Sequence, residues 1–110
     1  MARAAGIPLV VQHGEALFEE VVVEPFCRTY AEGRTPSPCP VCNPLVKFKT
    51  LARMADAAGI HWLASGHYAQ VCEVAGVFHV RRAKSAARDQ SYMLYRLPQA
   101  LLKRLVLPAG

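Results

Sequence analysis

Gly33–Phe48 reads GRTPSPCPVCNPLVKF, and the rest of the chain is organised around it. Pro36, Pro38, Pro40 and Pro44, four of the eight prolines, fall within it beside two of the four cysteines, Cys39 and Cys42. Each proline fixes its own φ and pushes the preceding residue toward an extended conformation, so a stiff loop is expected. Asn43-Pro44 suits a helix opening, with Asn43 as the N-cap and Pro44 at the first helical position. On that reading Cys42 stands one residue before a helix N-terminus. The partial positive charge there, with Lys47 or Arg34 nearby, favours a thiolate. Cys42 is therefore expected to have a depressed thiol pKa and to react faster than Cys27 or Cys72.

Downstream, Phe48, Leu51, Ala52, Ala55 and Ala58 mark an amphipathic helix closed by Gly59. Ile60–Ser65 is a short apolar run expected to form a parallel strand. Ser65-Gly66-His67-Tyr68 comes next, at its carboxyl end, where ligands bind in open α/β sheets. Gly66 is small enough for a ligand to approach the backbone. His67 reads as a ligand or base, or as a hydrogen-bonded structural residue. Gln70–Arg82 reads as two strands around a turn at Ala75-Gly76, with Cys72 a structural residue on the first. Arg81, Arg82, Lys84 and Arg88 form a basic cluster, and Asp89 or Ser91 can cap the segment after it. Ala100, Leu101, Leu102 and Leu105 suggest a final short helix.

Upstream, residues 1–5 read as a helix end stopped by Gly6. Ile7–Gln12 is apolar and β-branched, and is expected to be a buried strand. Glu15–Glu32 is helical in pattern, with Leu17, Val21, Val22, Phe26 and Tyr30 on one face. Pro25 predicts a kink or break near Val23 and Glu24. Cys27, on this helix, is expected to fill the core.

At 110 residues the chain holds at most one domain. A 53 % hydrophobic fraction argues against disorder. Thirteen Lys and Arg against eight Asp and Glu give +5, which suits a nucleic-acid partner without requiring one. The basic residues, with Arg34, predict weak and strongly salt-dependent RNA binding. No apolar run is long enough to span a membrane, and the start does not read as a signal peptide. The four cysteines therefore read as cytoplasmic thiols.

The Cys39–Cys42 pair admits four readings: half a zinc site, a dithiol redox motif, a nucleophilic or sulfur-handling cysteine, or structural burial. Zinc would need further ligands from Cys27, Cys72, His13, His61, His67 and His79, which are scattered. A redox CxxC would come directly after a strand, and here a proline loop intervenes.

Three segments in order, GRTPSPCPVCNPLVKF, LASGHYA at Leu63–Ala69 and RDQSYMLYRL at Arg88–Leu97, resemble successive motifs of the tRNA-specific 2-thiouridylases (MnmA). AGIPL near the start, Glu24-Pro25-Phe26 with Tyr30, and the closing LVLPAG agree with the same family. The resemblance implies an α/β fold, a partial open parallel sheet of the adenine-nucleotide-hydrolase (HUP) type with a small β-hairpin. It implies a catalytic region that adenylates the wobble uridine of tRNA with ATP and magnesium. The 2-oxygen is then replaced by sulfur from a cysteine persulfide, supplied by a sulfur-donor protein. Cys42 takes the place of the catalytic cysteine. Ser37, Pro38 and Cys39 match the segment that contacts the target base, Cys39 standing where many members carry aspartate. Gly66 matches a glycine of the nucleotide site. Arg88, Asp89 and Gln90 match a Lys-Asp-Gln segment that contacts tRNA, with Arg in place of Lys. The family's Ser-Gly-Gly-Val-Asp-Ser loop, its second cysteine and its C-terminal β domains have no counterpart. Residues 1–110 are therefore expected to be one partial domain from the middle of the enzyme, unable to adenylate or thiolate alone. The other reading is a non-catalytic nucleic-acid-binding or zinc-binding CxxC module.

Overall fold

Two prolines inside helices shape the first half of the chain. The computed structural model describes residues 2–110, so Met1 lies outside the described residues. Helix α1, Glu15–Phe18, passes into a five-residue π turn at Glu19–Val23, and α2, Glu24–Ala31, begins with Pro25 in its first turn. Proline in a regular helix interior loses a hydrogen bond and collides with the carbonyl four residues back. The wider turn relieves that collision and leaves Pro25 at the head of a fresh segment. The expected break near Val23–Glu24 thus takes the form of a widened turn. Gly33 ends α2 at φ +73°, with Gly33 N bonded to Tyr30 O and Arg34 N to Thr29 O.

The same device recurs at the cysteines. Helix α3, Cys39–Cys42, starts after Pro38, continues through a π turn at Asn43–Lys47 and runs into α4, Phe48–Ala57. This corrects the expected helix start. Asn43 is 2 % exposed inside the helix, not at its N-cap, and Cys42 lies within the first helical segment. Gly59, at φ +67°, closes α4 as expected, Gly59 N bonding to Asp56 O and Ile60 N to Ala55 O.

Strand β1, Leu63–Ala64, pairs in parallel with β4, Leu105–Val106. Between them lies the antiparallel hairpin of β2, Ala69–Val74, and β3, Val77–Arg82. Ala75 and Gly76 turn it at φ 50° and 79°, the positive angles a tight two-residue hairpin needs. Helix α5, Gln99–Leu102, is shorter than expected, because Leu105 belongs to β4 and pairs with Leu63. Gln99 donates from Nε2 to Phe78 O and accepts at Oε1 from Phe78 N, both at 2.8 Å, and so fastens α5 to β3. Phe48, Ala55, Leu63, Ala69, Leu94, Leu97, Leu102 and Leu105 form the core, with Leu94 fully buried.

Two upstream expectations fail. Ile7–Gln12 forms no strand, and Ile7, Leu9, Val10 and Val11 are 61–72 % exposed. A parallel strand takes its hydrogen bonds from neighbours, and among the described residues none lies alongside it. Cys27 is exposed and does not fill the core. The apolar spacing of Glu15–Glu32 is real, but only Val22 in it is buried.

Arg104 joins the two ends of the core. Its Nε donates to His61 O at 2.7 Å, Nη2 to Ile60 O at 3.0 Å, and Nη1 meets Asp56 Oδ1 at 2.7 Å. Asp56 is largely exposed, so the ion pair adds little and the two carbonyl bonds carry the effect. Arg104→Ala should lower stability by roughly 2 kcal/mol, read as an earlier urea midpoint with unchanged slope. Arg104→Lys should recover little of it, since an ammonium cannot reproduce the fork.

Candidate functional site

Three segments meet at the carboxyl end of β1. They are the cysteine helix with its π turn, the Ser65–Tyr68 loop, and the turn around Arg88–Met93. Asn43 ties the first to the third. Its Nδ2 donates to Cys39 O at 3.0 Å and to Met93 O at 3.1 Å, while its buried Oδ1 has no partner among the described residues. Gln90 ties the second to the third: Gln90 N donates to Tyr68 O at 2.7 Å, and Tyr68 N donates to Gln90 Oε1 at 3.0 Å. Arg88 lies over the Tyr68 ring, 5.7 Å from its centroid.

Asp89 turns its carboxylate inward. It accepts from Ala83 N at 2.8 Å, from the Ser91 hydroxyl at 2.7 Å and from Ser91 N at 3.4 Å. The Ala83 N–H first, then the Ser91 hydroxyl, hold the carboxyl below its usual range. A depressed folded-state pKa contributes stability above the unfolded value of about 3.9, lost as pH falls through the lower folded value. Urea midpoints followed from about pH 5 to about pH 2.5 should therefore drop, and Asp89→Asn should flatten the low-pH limb. Equal slopes in both proteins would remove Asp89 from the account.

Lys47, Ser65, Gly66, His67, Gln90 and Met93 line one open cavity. The Ser65 hydroxyl and His67 Nδ1 are 2.6 Å apart, and the Phe48 ring lies 5.9 Å from the imidazole, centroid to centroid. Burial, with the Lys47 ammonium, lowers the His67 pKa. Gly66 is exposed, and open space surrounds the position a Cβ would occupy, so the protein itself makes no use of the missing side chain. Ser37 and Pro38 line a separate, more apolar hollow with Val21, Val22, Pro25, Phe26, Thr29, Thr35, Pro36 and Val41. The structure thus gathers Gly66 and Gln90 at one cavity and sets Ser37 and Pro38 at another, with Cys39–Cys42 on the chain between them.

The Cys42 thiol is pushed up by burial, Lys47 partly offsetting this and Cys39 adding to it. This corrects the expected depression. With the helix starting at Cys39, Cys42 no longer stands before a helix N-terminus, and a half-buried thiol is costlier to ionise. Arg34 gives no help, because it pairs with Glu32. All four cysteines are free thiols. Among the described residues, no group of three or more His, Cys, Asp or Glu could hold a metal ion. Nor is any helix long and apolar enough to cross a membrane. Sequence reasoning missed the buried tie made by Asn43 and the Ser65–His67 pair. Asn before Pro reads equally as a cap, and a contact to Met93, fifty residues on, leaves no local signal.

Comparison with known proteins agrees with this arrangement. A family model described as the tRNA methyl transferase HUP domain matches residues 1–110. The tRNA-specific 2-thiouridylase MnmA of Solibacter usitatus is 43 % identical over 112 residues, covering all of this chain and 30 % of the relative. That of Syntrophotalea carbinolica is 45 % identical over 105 residues, covering 96 % of this chain and 30 % of the relative. That of Sorangium cellulosum is 43 % identical over 110 residues, covering all of this chain and 29 % of the relative. The chain therefore spans about 30 % of the length of these relatives. With a parallel strand pair, a hairpin and a loop cluster at the strand's carboxyl end, matched along its whole length, the chain belongs to the tRNA methyl transferase HUP domain family.

Proposed function

We propose that this chain forms the cysteine-bearing part of a tRNA uridine 2-sulfurtransferase. The observation that carries the reading is the pinning of the Cys39–Cys42 turn, through Asn43, to the turn that also holds Gln90, beside the cavity of Lys47, Gly66 and His67. The names of the relatives support thiolation, and a cysteine pair is suited to sulfur chemistry.

In this reading the uridine 2-oxygen attacks the α-phosphorus of magnesium-bound ATP and pyrophosphate leaves. The terminal sulfur of a persulfide, delivered by a sulfur-donor protein, adds at C2, and AMP departs. Cys42 then attacks the inner sulfur, which belongs to the family's second, downstream cysteine, breaking the sulfur–sulfur bond and leaving the new sulfur on the base and a disulfide between Cys42 and that cysteine. Open space at Gly66 lets a nucleotide approach the backbone. The seven glycines stand singly, so no glycine-rich run here cradles a triphosphate, and groups outside these residues hold the pyrophosphate. Arg88 and its basic neighbours meet tRNA phosphates, Ser37, Pro38 and Cys39 meet the base, and Asp89 and Gln90 shape the surface that does so. In this reading the reaction takes place in the cytoplasm.

Loss of the gene in its own host should remove 2-thiouridine from digested bulk tRNA, and its return should restore it. An unchanged nucleoside profile would overturn the reading.

A further inference from the structure

The π turn at Asn43–Lys47 does more than accommodate Pro44. In a regular helix, a residue five positions on lies about 140° round the axis. A widened turn, whose bonds run from i to i+5, brings residue i+5 back over residue i. Lys47 is that residue for Cys42. It also lines the cavity with Ser65, Gly66, His67, Gln90 and Met93, where it is the only Lys or Arg among the described residues. One exposed lysine is therefore placed one widened turn on from a thiol of its own helix and lines the same cavity as an imidazole on the facing loop.

We propose that Lys47 is a positioning residue for both groups at once, steadying the Cys42 sulfur as an anion and keeping the His67 imidazole uncharged. The inference rests on the sulfur-transfer reading for its purpose, since only a thiolate attacks a disulfide-type bond. Its physical content stands apart from that reading. The charged or titratable groups acting on Cys42 are Lys47 and Cys39, and Lys47 acts on His67, which the Ser65 hydroxyl and the Phe48 ring also meet. Removing the positive charge should raise both pKa values, because it had favoured the thiolate and opposed the imidazolium. Loss of packing alone would not move two groups on different segments the same way.

The test compares the wild-type chain with Lys47→Met and Lys47→Arg. Cys42 alkylation by iodoacetamide is followed by peptide mass mapping across pH, and the His67 ring proton by NMR, assigned with His67→Gln. In Lys47→Met, Cys42 should be alkylated roughly three- to tenfold more slowly near neutral pH, and the His67 midpoint should move to higher pH. Lys47→Arg should keep both near wild type. If either group in Lys47→Met titrates as in wild type, or if arginine shifts both as far as methionine does, the proposal is overturned. Lys47→Gln replaces Lys47→Met should the latter not fold. Neither measurement involves tRNA, so the inference and the proposed function can fail separately.

Discussion

Serine at Cys42 should leave a rescued gene-loss strain without measurable 2-thiouridine, at least a hundredfold below wild type. The change is nearly isosteric, so the half-buried site and the Asn43 bonds survive. What disappears is the ability to cleave a sulfur–sulfur bond, since a hydroxyl cannot form the disulfide that ends the transfer. Cys39→Ser should cost much less, within about tenfold, because the Asn43 bond at that residue goes to its backbone carbonyl. Mass spectrometry of tRNA nucleosides reads both. Serine at Cys42 supporting thiolation, or Cys39→Ser abolishing it equally, would show that the cysteines have been assigned the wrong roles.

Asn43 should produce the largest loss of stability. Asn43→Ala removes the donors of two carbonyls, Cys39 O and Met93 O, at a residue 2 % exposed. Met93 O is left without its donor, while Cys39 O keeps the backbone N–H of Asn43, so the cost is about 1–3 kcal/mol, or roughly 5–15 °C in Tm for a chain of this size. Asn43→Asp should be worse at neutral pH. It sets a carboxylate oxygen against two carbonyls where the amide had donated, and it buries a charge. Thermal unfolding of the two variants decides the matter. If aspartate is tolerated as well as alanine, these bonds are not what holds the cysteine turn in place.

The sequence announced those parts of the fold whose causes are local. Gly33 and Gly59 ended their helices, Ala75-Gly76 turned the hairpin, and Pro25 broke the helix where its missing N–H required it. The parts that depend on distant partners were not legible. Ile7–Gln12 has the composition of a strand, yet a strand needs a neighbour, and these residues supply none. Leu105 was indistinguishable from one more helical leucine until Leu63 paired with it. At the site, the motifs marked Cys42, Gly66 and Arg88–Gln90, but charge and burial came from three dimensions. Asn43-Pro44 matched a helix cap in type and order, and a cap there would have lowered the Cys42 pKa. The chain instead started its helix earlier and buried the asparagine, and desolvation reversed the sign. At Asp89 the capping role was legible, since Ser91 lies two residues on, but the bond from Ala83 N was not.

The parallel pairing of β1 with β4 also sets an order of events in folding. The hairpin, the Arg88–Met93 turn and α5 all lie between Leu63 and Leu105 along the chain. A hairpin closes in about 1–10 μs, whereas joining distant strands must first meet the entropy of a long loop. Ser65–Tyr68 leaves β1 directly, so the cavity at Gly66 takes shape with that last step. Substitutions that weaken Leu63, Arg104 or Leu105 should therefore slow the appearance of a competent site while the hairpin still forms at its own rate. The cavity at Gly66 is then the last part of this chain to take shape as it folds.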